Sequence, residues 1–231
     1  MGSFIVEFNG IPGSGKSTVE RVLNDLCLAH QYSICREGEL FSEKNRWKKW
    51  VFVLSILFYP KYFSLFIKVF LVGLSSFSRT KKTIPLKVSL TILYLTYSLI
   101  KRKKENDDFI IISEGYVQLL SNIYDYSSLV MNHQLESLIS KIFTLFDDIL
   151  IVNCYIDKEL AVERVNNRKK EQCLNSIDKL DQEVMIKFMS FRDKNLRVIR
   201  KYIKDISVNS IDIRMDNDPK VNAESIINQM K

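Results

Sequence analysis

The stretch Gly10-Ile11-Pro12-Gly13-Ser14-Gly15-Lys16-Ser17 constrains this chain more than any other. It fits G-x-x-x-x-G-K-[ST] at every position, between a short β-rich run, Phe4 to Phe8, and a run with helical apolar spacing, Val19 to Leu28. The order is strand, glycine loop, helix. Small residues let the backbone curl so that successive N–H groups point at phosphate oxygens. A helix beginning near Lys16 aims its positive end at the same place. Gly10, Pro12, Gly13, Ser14, Gly15, Lys16, Ser17 and Thr18 are therefore the candidate nucleotide-binding residues. Lys16 can reach the β- and γ-phosphates of ATP, and the Ser17 hydroxyl can ligate Mg²⁺.

The rest of the chain supplies a fold for such a loop. Residues 31–36, 109–112, 148–156 and 206–213 read as further strands. The continuous apolar runs FIII and DILIVNCYI suit strands buried on both faces. Helical patterns fill 117–146, 158–170, 180–204 and 221–230, with Asn217-Asp218-Pro219 as the turn before the last. Five strands alternating with helices predict an α/β fold, a parallel sheet covered on both faces. The 231 residues suffice for one domain with its own core. Cys27, Cys35, Cys154 and Cys173 form no Cys-x-x-Cys pair, and with only His30 and His133 beside them a zinc framework is not expected. They read as reduced thiols in a reducing compartment. The first residues read as a strand and not a secretory leader, and Val6 stands where a myristoylation motif needs Ser or Thr.

Charge singles out one segment. The chain has 34 basic and 27 acidic residues, net +7. Residues 42–104 hold 14 basic residues and a single acid, Glu43, a local net of +13. Two apolar stretches, 51–77 and 84–100, lie between the basic clusters Lys44/Arg46/Lys48/Lys49, Arg79/Lys81/Lys82 and Lys101 to Lys104. The uncharged pieces 51–59 and 88–100 are shorter than the roughly 18–20 residues of a membrane span. Three readings of this insertion stand side by side. It is a helical subdomain packed on itself, on the sheet or across a homodimer, with Trp47, Trp50, Tyr59, Tyr62 and Phe63 as core. It is a peripheral membrane anchor lying among headgroups. Or it is the wall of an acceptor pocket. Nucleic acid is not expected as a partner, because the aromatics sit inside long aliphatic runs and are not spaced as stacking platforms.

IVEFNGIPGSGKST, REGEL after a second strand, IISEGY after a third and VNCYIDKELAVERVNNR occur in the order of the thymidylate-kinase-like group of P-loop kinases, which the chain resembles over about 1–41 and 105–231. The resemblance implies a three-layer P-loop NTPase fold over residues 1–231 with sheet order 2-3-1-4-5, interrupted by the helical insertion 42–104. It implies γ-phosphoryl transfer from ATP, with Mg²⁺, to a small-molecule acceptor. Arg36-Glu37 is similar to the family's acceptor-facing pair, which makes Glu37 a candidate base or water-mediated Mg²⁺ holder. Glu114 follows the third strand where an acid–arginine pair is usual, and Gly115 replaces the arginine. Glu114 is thus a candidate metal or base residue at a strand's carboxyl end. Arg164 and Arg168, four apart on the lid-like helix, are candidates to stabilise the transferring phosphoryl. Arg192, Arg197 and Arg200 read mainly as a solvated helix face.

These readings lead to a cytoplasmic kinase of unnamed acceptor, with contact to the inner face of a membrane through 42–104 as one reading of that segment. The alternative is a P-loop switch without kinase activity at a membrane surface.

Overall fold

The computed structural model describes residues 3–40, 60–80, 84–105, 107–124, 132–170 and 180–230. Residues 42–59, with Trp47, Trp50 and Tyr59, lie outside the described residues, as does Cys173. The five expected strands are present: β1 (Phe4–Asn9), β2 (Ile34–Arg36), β3 (Phe109–Ile112), β4 (Ile149–Tyr155) and β5 (Ser210–Arg214). All pair in parallel, in the order β2-β3-β1-β4-β5. The helices between them are α1 (Lys16–Ala29), α2 (Glu37–Leu40), α3 (Pro60–Thr80), α4 (Ile84–Arg102), α5 (Tyr116–Tyr124), α6 (Asn132–Phe143), α7 (Lys158–Lys170), α8 (Gln182–Asp205) and α9 (Pro219–Gln229).

Strand alternation sorts the side chains into two cores. Val6, Phe8, Ile111, Leu150 and Val152 face α1 and α9, where they meet Val19, Leu23, Ala223 and Ile226. Ile5, Ile110, Ile112, Ile149 and Ile151 face the opposite layer, with Leu120 of α5, Leu138 of α6 and Leu196 of α8. Both faces being covered explains why β3 is apolar at every position and β4 over Ile149–Val152, instead of at every second one. The insertion joins the second core. Leu65, Val69 and Val72 of α3 and Ile92, Leu95 and Leu99 of α4 are buried in the same cluster as the sheet residues. Gly73 lets the two helices approach: a Cβ there would sit 2.6 Å from the Ser89 Oγ.

Two expected boundaries move, each for a local reason. β2 starts at Ile34 and not at 31, because Gln31 (φ 62°) closes α1 by donating its N–H to the Leu28 carbonyl at 2.9 Å. β5 starts at Ser210 and not at 206, because α8 runs on to Asp205 and Ser207 (φ 58°) turns the chain. The helix expected over 117–146 is described as α5 and α6, and residues 125–131 between them lie outside the described set. Asp218 caps α9, its carboxylate accepting from the Lys220 N–H at 2.8 Å with Pro219 following, so the turn expected there is also the helix start.

Candidate functional site

The loop from Gly10 to Gly15 leaves the carboxyl end of β1, the central strand, and wraps the N-terminus of α1. Gly13 (φ 77°) and Gly15 (φ 93°) hold left-handed backbone that residues with a Cβ adopt poorly. A methyl group on Gly13 would overlap the Ala161 carbonyl of α7, and one on Gly15 would lie 2.9 Å from Arg164 Nη1. These two glycines thus serve the curl of the loop and also let α7 close against it. Lys16 folds back over the loop, its Nζ donating to the Gly10 carbonyl at 2.9 Å and the Ile11 carbonyl at 3.2 Å. Burial holds its pKa below the ordinary lysine range.

A cleft of about 710 Å³ opens over this loop, and the sequence-selected residues converge on it. Lys16, Ser17, Glu114, Arg164 and Arg168 all line it, with Pro12, Gly13, Ser14, Gly15 and Thr18. Glu114 is exposed to the cleft. Arg164 does more than line it. Its guanidinium donates to the Ser14 carbonyl at 3.2 Å and to the Met215 carbonyl at 3.1 Å. In this arrangement Arg164 braces the loop against the end of β5, whereas Arg168 stands one turn further along the same face.

Glu37 lies just beyond this cleft and opens a second hollow, lined also by Glu20, Arg36 and Ser113. Its Oε2 accepts the N–H groups of Ser113 at 2.9 Å and Glu114 at 3.1 Å. Ser113 lines both cavities and donates its hydroxyl to Glu20. Desolvation raises the Glu37 pKa, its two backbone donors pull against that, and the charges of Glu114 and Glu20 add to the rise. The carboxylate is thereby fixed in place and made more basic than a free glutamate.

Gly115 has a structural cause that the sequence reading missed. Glu7, on the second-core face of β1, is fully buried and points its carboxyl at the start of α5, accepting the Val117 N–H at 2.6 Å. A Cβ on residue 115 would collide with that carboxyl. Burial drives the Glu7 pKa up to about 8, against the backbone donors and with help from Glu37. Glu7 sits one place from the end of an apolar strand run; a lone acid in such a run was the available signal.

The arginines of α8 correct the solvated-face reading. Arg197 follows it, exposed and paired with Asp193 at 2.9 Å. Arg192 is 6% exposed and lines the cleft, where it meets Asn122 and Gln118 of α5. Arg200 is 8% exposed; its Nε donates to Asn9 Oδ1 at 2.8 Å, and its guanidinium stacks on Tyr155 at 4.4 Å. Asn9 in turn donates to Asn153 Oδ1 at 2.9 Å, and Asn153 to Asp212 at 2.8 Å. These three lie in register across β1, β4 and β5. The row fixes the carboxyl end of β1, from which the glycine loop departs. Arg192 and Arg200, eight apart, share the buried face of α8 and Arg197 lies outside it, and charge pattern alone does not separate them.

Among the described residues no cluster of three histidine, cysteine or acidic side chains is placed to hold a metal alone. Cys27, Cys35 and Cys154 are free and buried, their thiols raised to about 11 by burial and hence protonated. No known family's sequence pattern matches the chain, and no curated protein sequence matches it. Solved structures with a similar chain path include deoxyadenosine kinase from M. mycoides with the products dCMP and a flexible dCDP bound (TM-score 0.48, 14% identity, 98% of each chain covered). The same enzyme with dATP bound gives the same values. Shikimate kinase from Acinetobacter baumannii in complex with shikimate gives a TM-score of 0.41 and 11% identity over 97% of this chain and 91% of that one. At these values the likeness transfers no activity, substrate or residue role to this chain.

Proposed function

We propose that this chain is an ATP-dependent kinase that transfers the γ-phosphoryl group to a small-molecule hydroxyl or phosphate, in the manner of the thymidylate-kinase-like enzymes. The observation that carries the reading is the glycine loop and Lys16 sharing one cleft with an acid, Glu114, and three arginines, Arg164, Arg168 and Arg192. Phosphoryl transfer needs chiefly positioning and positive charge around the equatorial oxygens. Loop N–H groups and the α1 terminus bind the phosphates. Lys16, now on loop carbonyls, exchanges them for a phosphate oxygen. Arg168 of α7 and Arg192 of α8 supply charge to the cleft, and Arg164 keeps the loop in shape.

Mg²⁺ fits the donor set present, because it retains several waters and takes one or two carboxylates with substrate phosphates. Ser17 and Glu114, lining the same cleft, are the residues that would hold it. When bound it supplies neutralisation of phosphate charge. On this reading Glu37, held by two N–H groups in the adjoining hollow, takes the acceptor hydroxyl proton from an acceptor that reaches past Ser113, which lines both cavities. Val88, Phe188 and the amides of Gln118 and Asn122 complete the far wall of the cleft, which we assign to the acceptor. One of these, Val88, comes from the insertion, so part of 42–104 serves the acceptor side.

An ADP-release screen tests this, with Mg²⁺, ATP and panels of nucleosides, nucleoside monophosphates, sugars and dispersed polyprenols. Turnover stimulated by one class, and absent from Lys16→Ala, supports the kinase and identifies its acceptor type. Tight ATP binding with no stimulation by any acceptor overturns it in favour of a nucleotide switch.

A further inference from the structure

Helix α3 has two apolar faces, and among the described residues only one of them meets the protein. Leu65, Val69 and Val72 are buried at 0, 0 and 2% exposure against the core. Lys68 reaches Ser137 of α6 at 2.5 Å and pins the helix on that side. Phe63, Ile67, Phe70, Leu71 and Leu74 are exposed at 47, 40, 45, 54 and 39%. Their spacing (i, i+4, i+7, i+8, i+11) puts all five on one face. From Phe63 to Leu74 the stripe runs about 17 Å along the helix, three turns, so it is contiguous and not a scatter of single residues.

We propose that this face of α3 lies on the surface of an anionic lipid bilayer. Charge decides the occupant. Between residues 44 and 104 there is no acid at all, and Lys61, Arg79, Lys81 and Lys82 belong to or adjoin the helix. A second copy seated on the stripe would bring one +13 segment against another. An anionic headgroup layer offers the opposite charge together with an apolar boundary for the five side chains. Crossing is a different matter: no helix among the described residues is long and apolar enough to span a membrane. The helix therefore rests in the interface, parallel to the surface. The inference is independent of the kinase reading, since none of the five residues lines the cleft.

Vesicle flotation of the full chain tests it. The protein floats with phosphatidylcholine–phosphatidylserine vesicles about tenfold or more better than with phosphatidylcholine alone, and high salt reverses this. Phe63→Ser with Leu71→Ser removes flotation while the thermal melting curve is kept. If that variant does not fold, Phe70→Trp decides: a blue-shifted emission on adding anionic vesicles supports the contact, and an unchanged spectrum overturns it. The proposal also falls if neutral vesicles bind equally well, or if the double variant floats like the parent. It falls too if light scattering without lipid shows a dimer that the double variant splits, for then a second copy covers the stripe.

Discussion

The carboxyl ends of the strands and the α3–α4 insertion are built by opposite means. At the strand ends polar groups are committed to polar partners: Lys16 to loop carbonyls, Arg164 to Ser14 and Met215, Glu37 to two amides, Arg200 to Asn9. In the insertion, apolar packing does the work, and one face of α3 is left without a protein partner among the described residues. On the proposed reading, the first region fixes charges where a polyphosphate needs them. The second carries net positive charge and surplus apolar surface, properties that suit a boundary rather than a reaction. Perturbing each region should therefore damage different observables.

The largest effect is expected from Lys16→Ala. Acceptor-stimulated ADP release should drop by about 10²-fold or more while the melting temperature stays near that of the parent. Retained turnover would take the loop out of the mechanism and erase the contrast between the regions.

Glu7→Gln tests the polar region from below. The carboxyl has a folded pKa of about 8, above the ordinary 4.5, so the native state holds the proton more tightly. Its stabilising contribution is present below about pH 4.5 and is lost as pH rises through about 8. The parent should lose on the order of 5 kcal/mol across that window through this group, and Glu7→Gln should not. Urea unfolding at pH 5 and pH 9 measures the difference; parallel curves for the two proteins would show that Glu7 is ionised at neutral pH.

Arg200→Met leaves Asn9 without its donor and should cost about 1–3 kcal/mol in urea unfolding. It should also weaken ATP binding, because Asn9 anchors the strand end that launches the loop. Loss of stability with unaltered ATP affinity would make the polar row purely structural.

The smallest effect is expected in the insertion. Gly73→Val forces α3 away from Ser89 of α4 and should cost about 1–2 kcal/mol of stability. ATP affinity should not move. A drop in ATP affinity would mean that the two regions are coupled and the contrast drawn above is too sharp.

Much of this was readable in the chain. The glycine loop declares itself because a phosphate cradle needs small residues, a lysine and a hydroxyl at fixed offsets, all local in sequence. FIII and DILIVNCYI announce buried strands because both faces of a parallel sheet are covered. Glu114 was found from its strand-end position, and Arg168 from the resemblance of its helix to a lid helix, and both line the cleft. Arg164 was found in the same way as Arg168, but its bonds to Ser14 and Met215 depend on where β5 ends.

Sequence by itself determined the elements, the glycine loop and the +13 segment, since each follows from neighbours within a few residues. Tertiary structure alone decided that Gly115 makes room for Glu7, 108 positions earlier in the chain. It alone separated Arg192 in the cleft from Arg197 in solvent and Arg200 beneath the loop. It also chose which apolar face of α3 enters the core. The physical reason is common to all three: burial and partnership are set by what packs opposite a side chain, and those partners lie far away along the chain.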